Sequence, residues 1–293
     1  MGYIDLHVHS KYSDGKMDIK DLLDIASNNN VSVISFTEHY NLSSLRVAKK
    51  LVKGNTKYNG IEVIPGIEIG ANMQDIGLSN HHVCHILAYF VSPRIYEILS
   101  KYEEDRKKTN EKIIERLKNQ GINITYGKML KYTKKKSFGR YDIASFLSKN
   151  GYAYTPEDAF SKFLDYGQMA HIERKKMSPV ELTKSIVKCG GVPIIAHPKS
   201  LKMNFESFEE FIFELIRAGL SGIEVYNPRN KEEERKFYLD ICQKFNLIPT
   251  VGSDFHKIGG DVEIGTGIDN NLCIDDYNII QRLKEKKHEI DYN

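Results

Sequence analysis

The sequence predicts a parallel α/β fold carrying a helical insertion, and three observations support that expectation. Short β-branched runs alternate with helix-like stretches over the first hundred residues and again over the last hundred, the habit of β/α units that build a parallel sheet. Many of those runs end in histidines and carboxylates. Between residues 92 and 184 the rhythm stops; charged helical segments dominate and no long β-branched run returns before GGVPIIAHP (190–198).

In chain order, IDLHVHS (4–10) alternates Ile4, Leu6 and Val8 with Asp5, His7 and His9, the period of a strand with two unlike faces. The aliphatic residues are expected to pack outward against helices. A helix over 19–28 places Leu22, Leu23, Ile25 and Ala26 near helical spacing, and VSVISFTEH (31–39) is the next strand. A basic helical stretch near 45–53 leads to IEVIPGIEIGA (61–71) and then HHVCHILAYFV (81–91). In the middle region, YEEDRKKTNEKIIERLKNQG (102–121) offers only a narrow apolar stripe of Ile113, Ile114 and Leu117. After GGVPIIAHP come a helix near 208–218, GIEVYNP (222–228), a helix near 232–245 and LIPTVGSDFH (247–256). The expected division is a discontinuous β/α domain over 1–100 and 185–293, with a helical insertion over 101–184.

Composition narrows the function classes. Charged residues make up 28% of 293 and the formal net charge is +3, which gives no sign of a dedicated nucleic-acid binder. There is no 18-residue apolar run and no signal-peptide core, so a cytoplasmic protein with no membrane partner is expected. Cys84, Cys189, Cys242 and Cys273 are scattered and read as isolated thiols.

Six of the ten histidines, His7, His9, His39, His85, His197 and His256, lie in or just after β-rich runs, and Asp14, Glu38, Glu68 and Asp254 hold similar places. Parallel α/β folds gather their strand ends into one face where chemistry is done. Imidazole nitrogens with carboxylate oxygens suit borderline divalent ions such as zinc, manganese or iron. A carboxylate has two oxygens and can bridge two cations, so a multinuclear metal site is expected.

The ordered series DLHVHS, SDG, TEH, PGIEIG, HVCHILAY, IIAHP, GIEVYNP and GSDFH resembles the polymerase-and-histidinol-phosphatase (PHP) family of metal-dependent phosphoesterases. The resemblance implies a distorted seven-stranded β/α (TIM-like) barrel with three divalent metal ions at its mouth. It implies one metal on His7, His9, Glu68 and Asp254, a second on Glu68, His85 and His197, and a third on Asp14, His39 and His256. FGRYDIASFLSKNG (138–151) is similar to the helical insertion that caps the barrel in relatives acting on nucleoside phosphates. AHIERKKMSP (170–179) departs from that pattern.

The activity so implied is hydrolysis of a small-molecule phosphomonoester, a nucleoside 5′-phosphate or 3′,5′-bisphosphate, by a metal-bridging hydroxide, since paired cations lower the pKa of bound water. Arg140 falls on a basic position of the relatives' pattern and is the first candidate for a phosphate contact; His82 has a counterpart in some relatives, and Lys199, Arg174 and Arg229 are further candidates because guanidinium and ammonium groups suit phosphate oxygens. Asp5 and Glu224 adjoin motif residues and have two open readings, orienting imidazoles through the second ring nitrogen or serving as a helix cap or buried hydrogen-bond acceptor. Tyr226 is assigned to the core. The rivals are a histidinol-phosphate phosphatase, an amidohydrolase, a nuclease or polymerase-associated module and a metal-binding module without turnover. No stable nucleic-acid partner is expected.

Overall fold

The computed structural model describes residues 2–73, 83–134, 137–173 and 177–292. The chain divides into two compact units, Met1–Tyr96 with Met177–Asn293, and Glu97–Lys176. The sequence-based limits of 101 and 184 differ from these because α7 (Pro179–Lys188), with buried Leu182, Thr183 and Ile186, belongs to the first unit.

The first unit is mixed α/β. It begins β1 (Tyr3–Val8), α1 (Ile19–Asn28), β2 (Val31–Phe36), α2 (Ser43–Gly54), β3 (Glu62–Val63), β4 (Gly66–Asn72) and β5 (Val83–Tyr89). After α7 it continues through β6 (Val192–Ile195), α8 (Phe205–Arg217), β7 (Gly222–Tyr226), α9 (Glu232–Lys244), β8 (Ile248–Val251) and α10 (Asn278–Tyr292). The strands form a three-stranded sheet, β1-β2-β3, and a five-stranded sheet, β4-β5-β6-β7-β8. The expected seven-stranded barrel is therefore met only in part. Isolated parallel bridges, Val8 to Phe255 and His39 to Glu68, join the two sheets, and continuous ladders stop at those seams.

A second departure concerns direction. β5 runs antiparallel to both β4 and β6, whereas β1-β2-β3 and β6-β7-β8 are parallel. His85 is the third residue of β5, so its position near the start of the strand lies at the same end as the C-termini of β6 to β8. Reversal of the strand, not its C-terminal end, delivers this imidazole.

Among the described residues, the interior of this unit includes two apolar clusters. Ile4 and Leu6 pack with Leu87, Val192, Ile194 and Ile248 and with Ile279 and Leu283 of α10, and Tyr226 lies against the same cluster. Val8 instead packs with Leu22, Leu23 and Ala26 of α1. The three aliphatics of β1 thus do not all face the same neighbours, because the β1–β2 register breaks between Asp5 and Val8.

The second unit comprises most of α3 (Ile95–Asn119), α4 (Tyr126–Thr133), α5 (Arg140–Lys149) and α6 (Pro156–Ala159). Ile113, Leu117, Met129, Ile143, Leu147 and Leu164 belong to one core. Thr125 caps α4 by accepting from the Lys128 N–H, and Asp142 accepts from the Gly139 N–H at 2.8 Å to open α5. No helix among the described residues is long and apolar enough to cross a membrane.

Candidate metal centre

The first unit brings all nine expected ligands together. His7 and His9 come from β1 and the residue after it, and Asp14 from the following turn. His39 follows β2, Glu68 and His85 sit inside β4 and β5, His197 follows β6, and Asp254 and His256 follow β8. His197 and Asp254 have positive φ angles, 25° and 57°, a costly backbone for residues other than glycine that clusters at functional sites. Gly252 is required for a different reason. A Cβ there would collide with the His7 side chain and with Glu224.

The donor atoms meet at ligand spacing. His7 Nε2 lies 3.1 Å from His9 Nε2 and 3.4 Å from both Glu68 Oε2 and Asp254 Oδ1. His9 Nε2 is 3.2 Å from Glu68 Oε2 and 3.3 Å from Asp254 Oδ1. Four atoms bound tetrahedrally at metal–ligand distances of about 2.0–2.2 Å stand roughly 3.4 Å apart, so this set fits a single divalent ion. The other Glu68 oxygen, Oε1, is 2.9 Å from His85 Nδ1 and 3.0 Å from His197 Nε2, and those two nitrogens are 3.2 Å apart. A third group forms around Asp14, whose Oδ2 is 3.5 Å from His39 Nε2 and whose Oδ1 is 3.4 Å from His256 Nε2. Glu68 Oε2 is also 3.2 Å from His39 Nδ1, so this carboxylate touches every group. The clusters that can hold a metal are His9/Asp14/His39/His256, His7/Glu68/His197 and His7/His9/Asp254.

The hydrogen bonds fix which nitrogen is bare. His7 Nδ1 donates to Glu224 Oε1 at 2.8 Å, His197 Nδ1 meets Ser200 Oγ at 2.8 Å, and His256 Nδ1 donates to the Asp254 carbonyl at 2.8 Å. For His7 and His256, whose partners only accept, this leaves Nε2 with its lone pair turned toward the carboxylates, the usual arrangement of a metal-binding imidazole. Glu224 also accepts from the His197 N–H at 2.6 Å and from Asn227 Nδ2 at 3.2 Å.

Asp5 takes the second of its two open readings, that of a buried hydrogen-bond acceptor. It accepts from the N–H groups of His7 (3.3 Å), Ser253 (2.9 Å) and Gly265 (2.9 Å), so it ties backbone to backbone and orients no imidazole. Burial pushes its carboxyl up to about 6 against these hydrogen bonds.

Glu38, one of the strand-end acids, takes a supporting place that the sequence reading did not assign to it. It is wholly buried and accepts from the Ser10 N–H at 3.2 Å, from Ser10 Oγ, and from Ser13 Oγ at 2.5 Å. Ser13 Oγ in turn lies 3.4 Å from His9 Nδ1 and 3.2 Å from Asp14 Oδ1. The available signal was a glutamate ending an otherwise apolar strand beside His39.

The electrostatics favour cations. Burial opposes charge on Glu68, yet His85, His39 and His7 hold its carboxyl well below the usual range. Asp14 and Asp254 are lowered in the same way by neighbouring imidazoles, against burial. Burial also disfavours a positive His9, but Asp254 and Glu68 outweigh it and lift the imidazole to about 10. His7 and Glu68 are sealed from solvent, whereas Asp14 is 51% exposed. The centre therefore has a buried floor and an open rim.

The expected phosphate contacts are less concentrated. Lys199 Nζ donates to the Arg229 carbonyl and to Glu234 Oε2, both at 2.9 Å. Arg229 forms a bidentate pair with Asp261 at 3.0 and 3.1 Å. These acidic partners already neutralise part of the charge either side chain could offer a phosphate. Arg140 belongs to the second unit, with its guanidinium 5.5 Å from the Phe160 ring centroid. His82 and Arg174 lie outside the described residues.

Residues 5–248 match the family model described as PHP domain. The chain is 26% identical over 265 residues to the 5′-3′ exoribonuclease of Haemophilus influenzae, covering 90% of this chain and 94% of that protein. It is 25% identical over 270 residues to the 3′,5′-nucleoside bisphosphate phosphatase of Chromobacterium violaceum, covering 90% and 91%. Among solved structures, a protein of Bifidobacterium adolescentis assigned as a metal-dependent phosphoesterase superposes with a TM-score of 0.74 at 24% identity, covering 97% of this chain and 96% of that one.

Proposed function

The chain belongs to the PHP domain family of metal-dependent phosphoesterases, and from that premise we propose that it hydrolyses a nucleotide phosphomonoester, a nucleoside 5′-phosphate or 3′,5′-bisphosphate. One observation carries this reading. The two oxygens of the buried Glu68 carboxylate face different imidazole groups at 2.9–3.4 Å, which suits a carboxylate shared between two cations. The relative named for 3′,5′-nucleoside bisphosphates supports the substrate class.

In this proposal three divalent ions, zinc, manganese or iron, are held by His7/His9/Glu68/Asp254, by Glu68/His85/His197 and by Asp14/His39/His256. When bound, such ions supply an activated water and neutralise phosphoryl oxygens. The chain's own task is then positioning. Glu224 holds the His7 ring by its Nδ1 proton and the His197 backbone by its N–H, so both imidazoles present Nε2. Glu38 accepts the Ser13 hydroxyl proton, which leaves Ser13 Oγ to accept from His9 Nδ1. The buried floor excludes bulk water, and the exposed rim around Asp14 and His256 admits substrate. No side chain has to serve as nucleophile. Arg140 is the proposed phosphate contact from the second unit, and the strands are proposed to form a distorted barrel across their two seams.

Phosphate release from metal-replete protein tests the reading, with a panel of nucleoside 5′-phosphates, 3′,5′-bisphosphates and histidinol phosphate. Turnover of the nucleotides above histidinol phosphate is expected. No phosphate from any of them sinks the proposal. A second reading, stepwise hydrolysis at an RNA end, is favoured by the relatives named as 5′-3′ exoribonucleases.

A further inference from the structure

The near-neutral charge of the whole chain conceals a partition. Residues 97–176 hold 18 Lys and Arg against 11 Asp and Glu, a formal +7. The rest of the chain holds 24 against 28, a formal −4. Within the basic unit the excess is concentrated further. Between Glu115 and Asp142 there are eight Lys and Arg and no acid.

We propose that this stretch, α4 with the chain on either side, binds the phosphodiester backbone of a single-stranded oligonucleotide. The inference rests on the nucleotide-phosphatase reading only in extending its substrate class from a mononucleotide to a chain.

An ordinary solvated helix mixes both signs, and α3 shows what that looks like. Lys108 pairs with Glu104 at 2.7 Å and Arg106 lies 3.9 Å from Glu103. The acid-free stretch has no such compensation. Lys118, Lys131 and Lys134 are exposed and have no acidic partner among the described residues, so their charges are available to an external anion. Lys128, Lys131 and Lys134 follow one another at three-residue steps along α4 and its cap, a drift that keeps them on one side of the helix. Lys128 is partly engaged by the Asn123 carbonyl at 3.2 Å, and Arg116 by the His171 carbonyl at 2.7 Å. Lys135 and Lys136 lie outside the described residues and are not counted in the surface.

The chemistry distinguishes among polyanions. Tyr141 directly follows Arg140 and is 58% exposed, and aromatic faces beside a basic track are what unpaired bases stack on. A lipid surface would need apolar residues to insert. On α4 these are turned inward, since Met129 is buried and Leu130 packs on the unit's own core.

The test uses the metal-replete full chain and a hydrolysis-resistant phosphorothioate oligonucleotide of about 12 nucleotides, long enough to span a single-strand site. Binding is followed by fluorescence anisotropy over a series of salt concentrations. The wild type is expected to bind the oligonucleotide at least 100-fold more tightly than a nucleoside monophosphate. In the triple variant Lys118→Gln, Lys131→Gln, Lys134→Gln, the slope of log affinity against log salt should fall by about 2, since each single-strand phosphate contact contributes roughly 0.7. Mononucleotide hydrolysis should be unchanged. An oligonucleotide bound no more tightly than the monophosphate, or an unaltered slope in the variant, overturns the proposal. Equal competition by polyglutamate or by anionic vesicles also overturns it, assigning the surface to an acidic protein or a membrane. If the oligonucleotide binds as expected while no monophosphate is hydrolysed, the surface stands and the phosphatase reading falls.

Discussion

Glu224→Gln tests whether one buried carboxylate sets the proton positions of the metal centre. Its two oxygens accept from three donors: His7 Nδ1 at 2.8 Å, the His197 N–H at 2.6 Å and Asn227 Nδ2 at 3.2 Å. Glutamine keeps the shape but has one oxygen and one NH2. The His197 backbone N–H and the Asn227 amide cannot become acceptors there, so the glutamine oxygen turns toward them. Its NH2 then faces His7 Nδ1, and the only way to avoid two opposed donors is for His7 to move its proton to Nε2. That nitrogen is the one lying 3.1–3.4 Å from His9, Glu68 and Asp254. A metal must displace the proton before it can bind. Loss of such a supporting partner lowers metal affinity by about 10–100-fold, or about 1.4–2.7 kcal/mol. Competition with a fluorescent chelator measures the affinity, circular dichroism checks the fold, and nitrogen NMR of the metal-free protein reports the His7 tautomer. Affinity within twofold of wild type, with the His7 proton still on Nδ1, would refute the reasoning.

Three further outcomes are expected. Glu68→Gln removes the charge shared by the groups and should lower turnover by at least about 100-fold while circular dichroism stays native; full activity would remove Glu68 from the centre. Ser13→Ala cuts the link from Glu38 to His9 and should weaken metal binding about tenfold, measured by the same chelator competition. Asp5→Asn places an NH2 against a backbone N–H and should cost about 1–3 kcal/mol in urea denaturation. Because burial raises Asp5 from 3.8 to about 6, the folded state holds its proton more tightly than the unfolded chain. Its contribution to stability is full below pH 3.8 and declines as pH rises through about 6. The difference in stability between wild type and Asp5→Asn should therefore change across that window, and a flat difference from pH 4 to 7 would contradict it.

Much of the centre was legible in the sequence because strand ends converge by topology. Once His7, His9, His39, His197 and His256 are placed at or just past β-rich runs, the fold brings them together whatever the exact register. Direction was not legible. VCHILAY reads alike in a parallel or an antiparallel strand, so the reversal that positions His85 emerges only from its pairing with β4 and β6. The supporting carboxylates were half legible. Glu224 could be suspected from its place beside motif residues, but Asp5 has the same signature and serves the backbone instead. That distinction depends on which atoms lie within 3 Å, and a single side chain's neighbours across 217 or 248 residues of separation leave no trace in local pattern. Lys199 and Arg229 show the converse. Basic type alone suggested phosphate, whereas Lys199 and Arg229 are held by Glu234 and Asp261.

The pairing of β1 with the chain just past β8 also sets a timetable. The His9 N–H bonds the Phe255 carbonyl at 2.9 Å and the Asp254 N–H bonds the His7 carbonyl at 2.8 Å, so the floor of the centre closes only when the ends of the domain meet. During synthesis His7 and His9 leave the ribosome first, and Asp254 follows after roughly 12–50 s at about 5–20 residues per second. Closing so long a loop belongs to the late part of folding. Completion of the His7/His9/Asp254 set is therefore a finishing step, and a nascent chain arrested before Asp254 would lack the carboxylate that lies 3.3–3.4 Å from both imidazoles.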